Sequence, residues 1–103
     1  MRKYRQARTD YPDEVLGIYD NGGTTIDRYT IVFTPFECDG CTFFPFLDMS
    51  GAPYHPQGVC LHGETEGYRI TGGWGTGQKV ISFNVLPTDC QRAVREDLEG
   101  YSL

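Results

Sequence analysis

Arg28-Tyr29-Thr30-Ile31-Val32-Phe33-Thr34 is the stretch that decides the fold. Tyr29, Ile31 and Phe33 alternate with Thr30, Val32 and Thr34, the period of two that puts alternate side chains on opposite faces of a strand. Pro35 ends it, because proline has no N–H to give a ladder. Just upstream, Asp20-Asn21-Gly22-Gly23 supplies the positive-φ residues of a tight hairpin turn. That makes Glu14 to Tyr19, interrupted by Gly17, the partner strand.

Downstream, Cys38 to Cys41 reads as a turn into a short aromatic strand, Thr42-Phe43-Phe44-Pro45-Phe46-Leu47, with Pro45 marking an edge or a bulge. Residues 48–64 hold too many prolines and glycines for a long regular element and read as a surface excursion. Tyr68 to Thr71 reads as a brief strand, Gly72 to Gly77 as a loop carrying Trp74, and Lys79 to Val85 as another alternating strand. Leu86-Pro87-Thr88-Asp89 is a helix start. Cys90, Ala93, Val94 and Leu98 then share one stripe, and Gly100 is placed to stop the helix.

The expectation is an α+β domain: a twisted, mostly antiparallel sheet of four to five strands with one C-terminal helix. A partly open barrel of the same strands is the alternative. At 103 residues the chain fits one domain, with residues 1–13 as a basic N-terminal tail and 14–103 as the folded unit. Aromatic residues at 14% supply the bulk for a core and argue against disorder.

Charge is distributed unevenly. Arg2, Lys3, Arg5 and Arg8 cluster at the start, while from Asp10 onward five basic residues face fourteen acidic ones, a balance of −9. An acidic body repels phosphates, so nucleic-acid contact is expected only through the basic arm. No apolar run approaches the roughly 18–20 residues needed to span a bilayer, so no membrane is expected. The basic N-terminus has no apolar run after it, which points to a cytoplasmic protein.

Three of the four cysteines and both histidines lie between Cys38 and Glu64. Cys38 and Cys41 have the spacing with which one turn grips a tetrahedral ion. Cys60 and His62 would share a face on extended backbone, so together the four make a Cys3His zinc set. Zinc is the only cofactor the sequence suggests, and reduced structural cysteines are the alternative. His55, Gln57, His62 and Glu64 form a second cluster, suited to ligand binding or acid–base chemistry. No complete catalytic motif is present and no catalytic residue is assigned, so a non-enzymatic role is favoured. Gly72 to Lys79 fails both nucleotide-loop patterns, and Trp74 reads as an exposed anchor for a protein partner.

Five ordered blocks carry a resemblance. They are Tyr19-Asp20-Asn21-Gly22-Gly23, Asp27-Arg28-Tyr29-Thr30-Ile31-Val32-Phe33, His55-Pro56-Gln57-Gly58, His62-Gly63-Glu64 and Leu86-Pro87-Thr88-Asp89-Cys90-Gln91. Together they resemble a family of small proteins found in phages and in prophage or mobile regions of bacterial genomes. The resemblance implies a compact accessory protein that binds a host or phage macromolecule, such as a component of host defence. The polar positions inside the blocks, Asp20, Asn21, Asp27, Arg28, His55, Gln57, His62 and Glu64, become the binding candidates, with a protein as the expected partner. The three cysteines of the zinc set lie outside the blocks.

Overall fold

The structure, a computed structural model, describes residues 5–22, 28–66 and 79–101. Its strands are β1 (Val15–Asp20), β2 (Tyr29–Phe33), β3 (Phe36–Cys38), β4 (Cys41–Met49), β5 (Cys60–Glu66) and β6 (Lys79–Val80). A 3₁₀ turn, Phe83–Val85, precedes the helix α1 (Thr88–Tyr101). Every strand pairing is antiparallel, and the sheet is open, with the β4 neighbours at one side and β6 at the other. The expected α+β class holds, and the barrel alternative does not.

β4 organises the sheet. Phe43 pairs with Phe36 on one edge and with Glu66 on the other, so β3 and β5 flank β4. β2 pairs with Phe46 to Met49 on the edge that β3 uses. β2 and β3 are therefore one long strand broken at Thr34-Pro35, and together with β4 they form a long hairpin. Pro45 falls opposite that break, between the β2 and β3 pairings, so its missing N–H is tolerated in a nine-residue strand. Sequence alone placed Pro45 at an edge or bulge of a shorter strand.

Both faces of the central strands are buried. Val15, Ile18, Tyr29, Ile31, Phe33, Leu47 and Met49 face α1 and pack against Cys90, Ala93, Val94 and Leu98, the expected helical stripe. Leu16, Tyr19, Val32 and Phe44 form a second cluster, with Phe46 packed on it. The register shifts between Val15 and Gly17, a bulge that resets the alternation. It lets Val15 and Ile18, three residues apart, meet the helix, while Leu16 and Tyr19 join the other cluster. The break read at Gly17 is this bulge. On the second cluster's face, Phe46 lies over Gly63 of β5, where an added Cβ would come within 2.4 Å of the ring.

Four readings change. The supposed tail is docked from Gln6 onward: its side-chain amide donates to the Pro12 and Val15 carbonyls, Ala7 N–H donates to Leu16 O, and Tyr11 is core. The surface excursion read over 48–64 ends in a strand, Cys60–Glu66, that holds seven pairs to β4. The alternation over Lys79–Val85 yields only a two-residue strand, because Ser82 captures the Asn84 N–H and turns the chain at 3.2 Å. Finally, α1 continues through Gly100 to Tyr101, within the scatter expected of helix ends. The strand read at Tyr68 to Thr71, the loop at Gly72 to Gly77 and Trp74 lie outside the described residues, as does Asp27.

Candidate functional site

The zinc set does not assemble. Asp39 and Gly40 both have positive φ, 53° and 81°, which makes them the centre of a two-residue hairpin turn. Cys38 and Cys41 flank that turn and pair with each other, so their spacing belongs to the hairpin. Cys60 pairs with Met49 at the far end of nine-residue β4, roughly 26 Å from Cys41 at about 3.3 Å per residue. One ion with Zn–S bonds of about 2.3 Å cannot span that gap. Among the described residues no group of three or more His, Cys, Asp or Glu side chains is placed to hold a metal.

The polar residues near β1 and β2 stitch strands together. Arg28 grips Asp20 with two bonds, at 2.7 and 3.1 Å, and holds its carboxyl below the usual range. The partner of Arg28 is thus Asp20, across the hairpin. Asn21 donates to Thr30 Oγ1 at 2.9 Å, and Thr30 donates to Asp48 at 2.7 Å, linking β1, β2 and β4. These groups already use their bonding capacity on structure.

The histidines part company. His55 sits exposed in the connection before β5, and its Nδ1 accepts the Gln57 N–H at 3.0 Å. With His55 N–H to Ala52 O and Gly58 N–H to His55 O, it folds its own loop. His62 lies on β5 opposite Leu47, facing the helix, and its Nε2 meets Asp97 Oδ1 at 2.5 Å. Glu64 is two residues along the same strand and on the same face. The four-residue cluster expected from sequence is therefore divided between a loop and a strand.

Cys60, His62 and Asp97 have the order of a nucleophile, base and orienting acid, but the electrostatics oppose it. Burial pushes the Cys60 thiol up, and Asp97 and Glu96 add to the push. A reactive cysteine needs the opposite shift. Nearby, the Tyr54 hydroxyl donates to Glu96, and Arg92 lies 4.8 Å above the Tyr54 ring, so the loop is clamped to the helix. The His62–Asp97 pair serves the same docking. Asp97 is 11% exposed and its Oδ2 has no partner, so His62→Ala would strip the remaining bond from a nearly buried carboxylate. The expected cost is about 1–3 kcal/mol, toward the low end because water can reach the site where the exposed imidazole stood. Adding Asp97→Leu should recover most of it. Urea midpoints for the double-mutant cycle check this, and fully additive losses would refute the coupling.

Among the described residues, an apolar surface lies toward the C-terminal end of the helix. α1 runs antiparallel to β4: Cys90 Sγ donates to Ser50 O, just past the end of β4, and Leu98 reaches the level of Pro45. A 14-residue helix is roughly 21 Å long at about 1.5 Å per residue, shorter than the hairpin beneath it. Beyond its end the helix-facing side of the sheet continues as an apolar shelf. Phe36 and Phe43 stack there at 5.8 Å between ring centres, and Phe36 is 40% exposed. A cleft of about 510 Å³ opens beside them, lined by Asp13, Glu14, Phe33, Thr34, Phe36, Pro45 and Leu98.

The rim of this shelf is acidic. Glu64 and Glu66 are paired with Pro45 and Phe43, so the register puts them on the shelf's own face along β5. Asp13 and Glu14 stand on the opposite side, both exposed. Glu14 has a positive φ of 74°, unusual outside glycine, and is fixed there by Thr34, whose hydroxyl donates to its carboxylate and whose N–H donates to its carbonyl. The last turn of α1 carries no basic residue, which leaves the negative end of the helix facing the same region. Of the polar candidates that lie among the described residues, only Glu64 borders this shelf. Phe36 and Phe43 were visible as aromatic residues, but which of them stay uncovered depends on where the helix ends.

No protein-family profile, curated protein or solved structure matches this chain.

Proposed function

We propose that this is an accessory protein of a phage or mobile element that acts by binding a macromolecule of the bacterial host or of the phage, such as a defence component. The observation that carries this reading is the shelf on which exposed Phe36 stacks against half-buried Phe43 beside a cleft. Aromatic residues left on the surface beside a cleft are the usual anchors of an interface, where a few side chains carry most of the binding energy. The resemblance of the five sequence blocks to phage and prophage proteins supplies the context. The enzyme alternative has less support, since His55 is spent on its own loop and His62 on Asp97. Among the described residues no helix is long and apolar enough to cross a membrane.

The test uses a tagged chain expressed in a bacterial host under phage challenge. Wild-type protein should retain one partner in stoichiometric amount and raise phage yield. Phe36→Asp should lose both while keeping its melting temperature, a loss of about 2 kcal/mol or more in affinity if Phe36 is an anchor. If no partner is retained and phage yield is unchanged, the reading fails.

A further inference from the structure

We propose that the shelf receives a cationic, apolar segment of a partner protein: a bulky aliphatic or aromatic side chain flanked by lysine or arginine. This rests on the binding reading above and names the partner's chemistry. The floor of the site, exposed Phe36 stacked on half-buried Phe43, gains by burying apolar surface. Its borders are negative on each side described: Glu64 and Glu66 along β5, Glu14 across the cleft, and the helix end.

Among the described residues, four arginines have partners away from Glu14, Glu64 and Glu66. Arg92 lies over Tyr54, Arg95 lies 5.1 Å over the Phe83 ring, Arg8 pairs with Asp10, and Arg28 pairs with Asp20. An apolar floor with an acidic border selects against nucleic acid and acidic proteins by like-charge repulsion. It favours a partner whose cations straddle an apolar anchor. A second copy of this chain docking through the same face is a poor occupant, because it would bring its own acidic rim.

Full-length protein would be titrated with a fluorophore-labelled Lys-Arg-Leu-Phe-Arg-Lys peptide, with amide shifts followed by NMR. Binding should perturb the amides of Thr34, Phe36, Glu64 and Leu98. Replacing Leu-Phe by Ser-Ser, or the cations by glutamate, should weaken binding by roughly tenfold or more, as should raising salt from about 50 to about 300 mM for the charge-dependent part. Phe36→Asp keeps the negative field but removes the anchor, and Glu64→Gln with Glu66→Gln keeps the shape but thins the charge. Each should lose affinity with the melting temperature retained.

Equal affinity for the glutamate peptide, perturbations mapping away from the shelf, or a Phe36-dependent dimer would each overturn the proposal. If Phe36→Asp abolishes partner retention in cells while no cationic peptide binds, the occupant is wrong and the shelf stands. If the peptides bind as described but phage yield never changes, the cationic site stands and the accessory role falls.

Discussion

Tyr11→Ala is expected to cost about 3–5 kcal/mol, the range for removing a large buried aromatic, out of a total of about 5–15 kcal/mol for a domain. Tyr11 is 6% exposed and packs in the helix-side cluster. Its hydroxyl accepts the Ile18 N–H at 3.2 Å and donates to the Ile81 carbonyl at 2.7 Å, so it bridges β1 to the chain leaving β6. Tyr11→Phe keeps the ring and orphans those two backbone groups, for about 1–3 kcal/mol. Thermal and urea unfolding of the three proteins separate the packing loss from the polar one. A Tyr11→Ala protein as stable as wild type would mean that the N-terminal segment is not docked.

The same residue gives the domain an alkaline limit. Burial pushes the Tyr11 hydroxyl up to about 12, whereas an unfolded tyrosine titrates near 10. The native state holds this proton more tightly than the unfolded one. Its contribution is therefore whole below about pH 10 and is lost as pH rises toward 12. Cys90, raised by burial to about 11 from an ordinary value of 9.0, acts in the same direction and begins earlier. Tyr54 is also raised to about 12 by its bond to Glu96, but it is 44% exposed and adds little. Stability should therefore decline above about pH 9. In Tyr11→Phe the decline between about 10 and 12 should be shallower.

Leu47→Ala is expected to cost about 2–5 kcal/mol, and Leu47→Met less than about 1.5 kcal/mol. Leu47 is fully buried on β4, opposite Ile31 on one side and His62 on the other, under the helical stripe. Alanine would leave a cavity where sheet and helix meet, and the rigid pleat can close it only partly. For a domain near this size each kcal/mol lowers Tm by roughly 4–8 °C. An unchanged denaturant slope would show that the loss lies in the native core. A cost below about 1 kcal/mol would mean that α1 does not cover this face.

Local patterns announced themselves where the chain makes its own structure. The alternation from Tyr29 to Phe33, the break at Gly17 and the stripe of Cys90, Ala93, Val94 and Leu98 each map onto an observed element. Cys60–Glu66 did not, because Gly63 and two glutamates suppress the strand signal of an edge whose pairing is supplied by β4. The cysteine spacing misled for a related reason. Positive φ at Asp39 and Gly40 turns Cys-x2-Cys into a hairpin tip, and only the strand register shows how far Cys60 lies from it.

Sequence periodicity determined which residues turn inward, since burial of alternate side chains is a property of each strand or helix taken singly. It also fixed the acidic balance of the chain. What tertiary structure alone decided is the surface left over. A helix shorter than the hairpin it covers leaves Phe36 exposed and Phe43 half-buried, and the pairing of β5 with β4 sets Glu64 and Glu66 beside them. Neither depends on local pattern. Both follow from how elements distant in the chain line up, because exposure is what remains after all the packing is done.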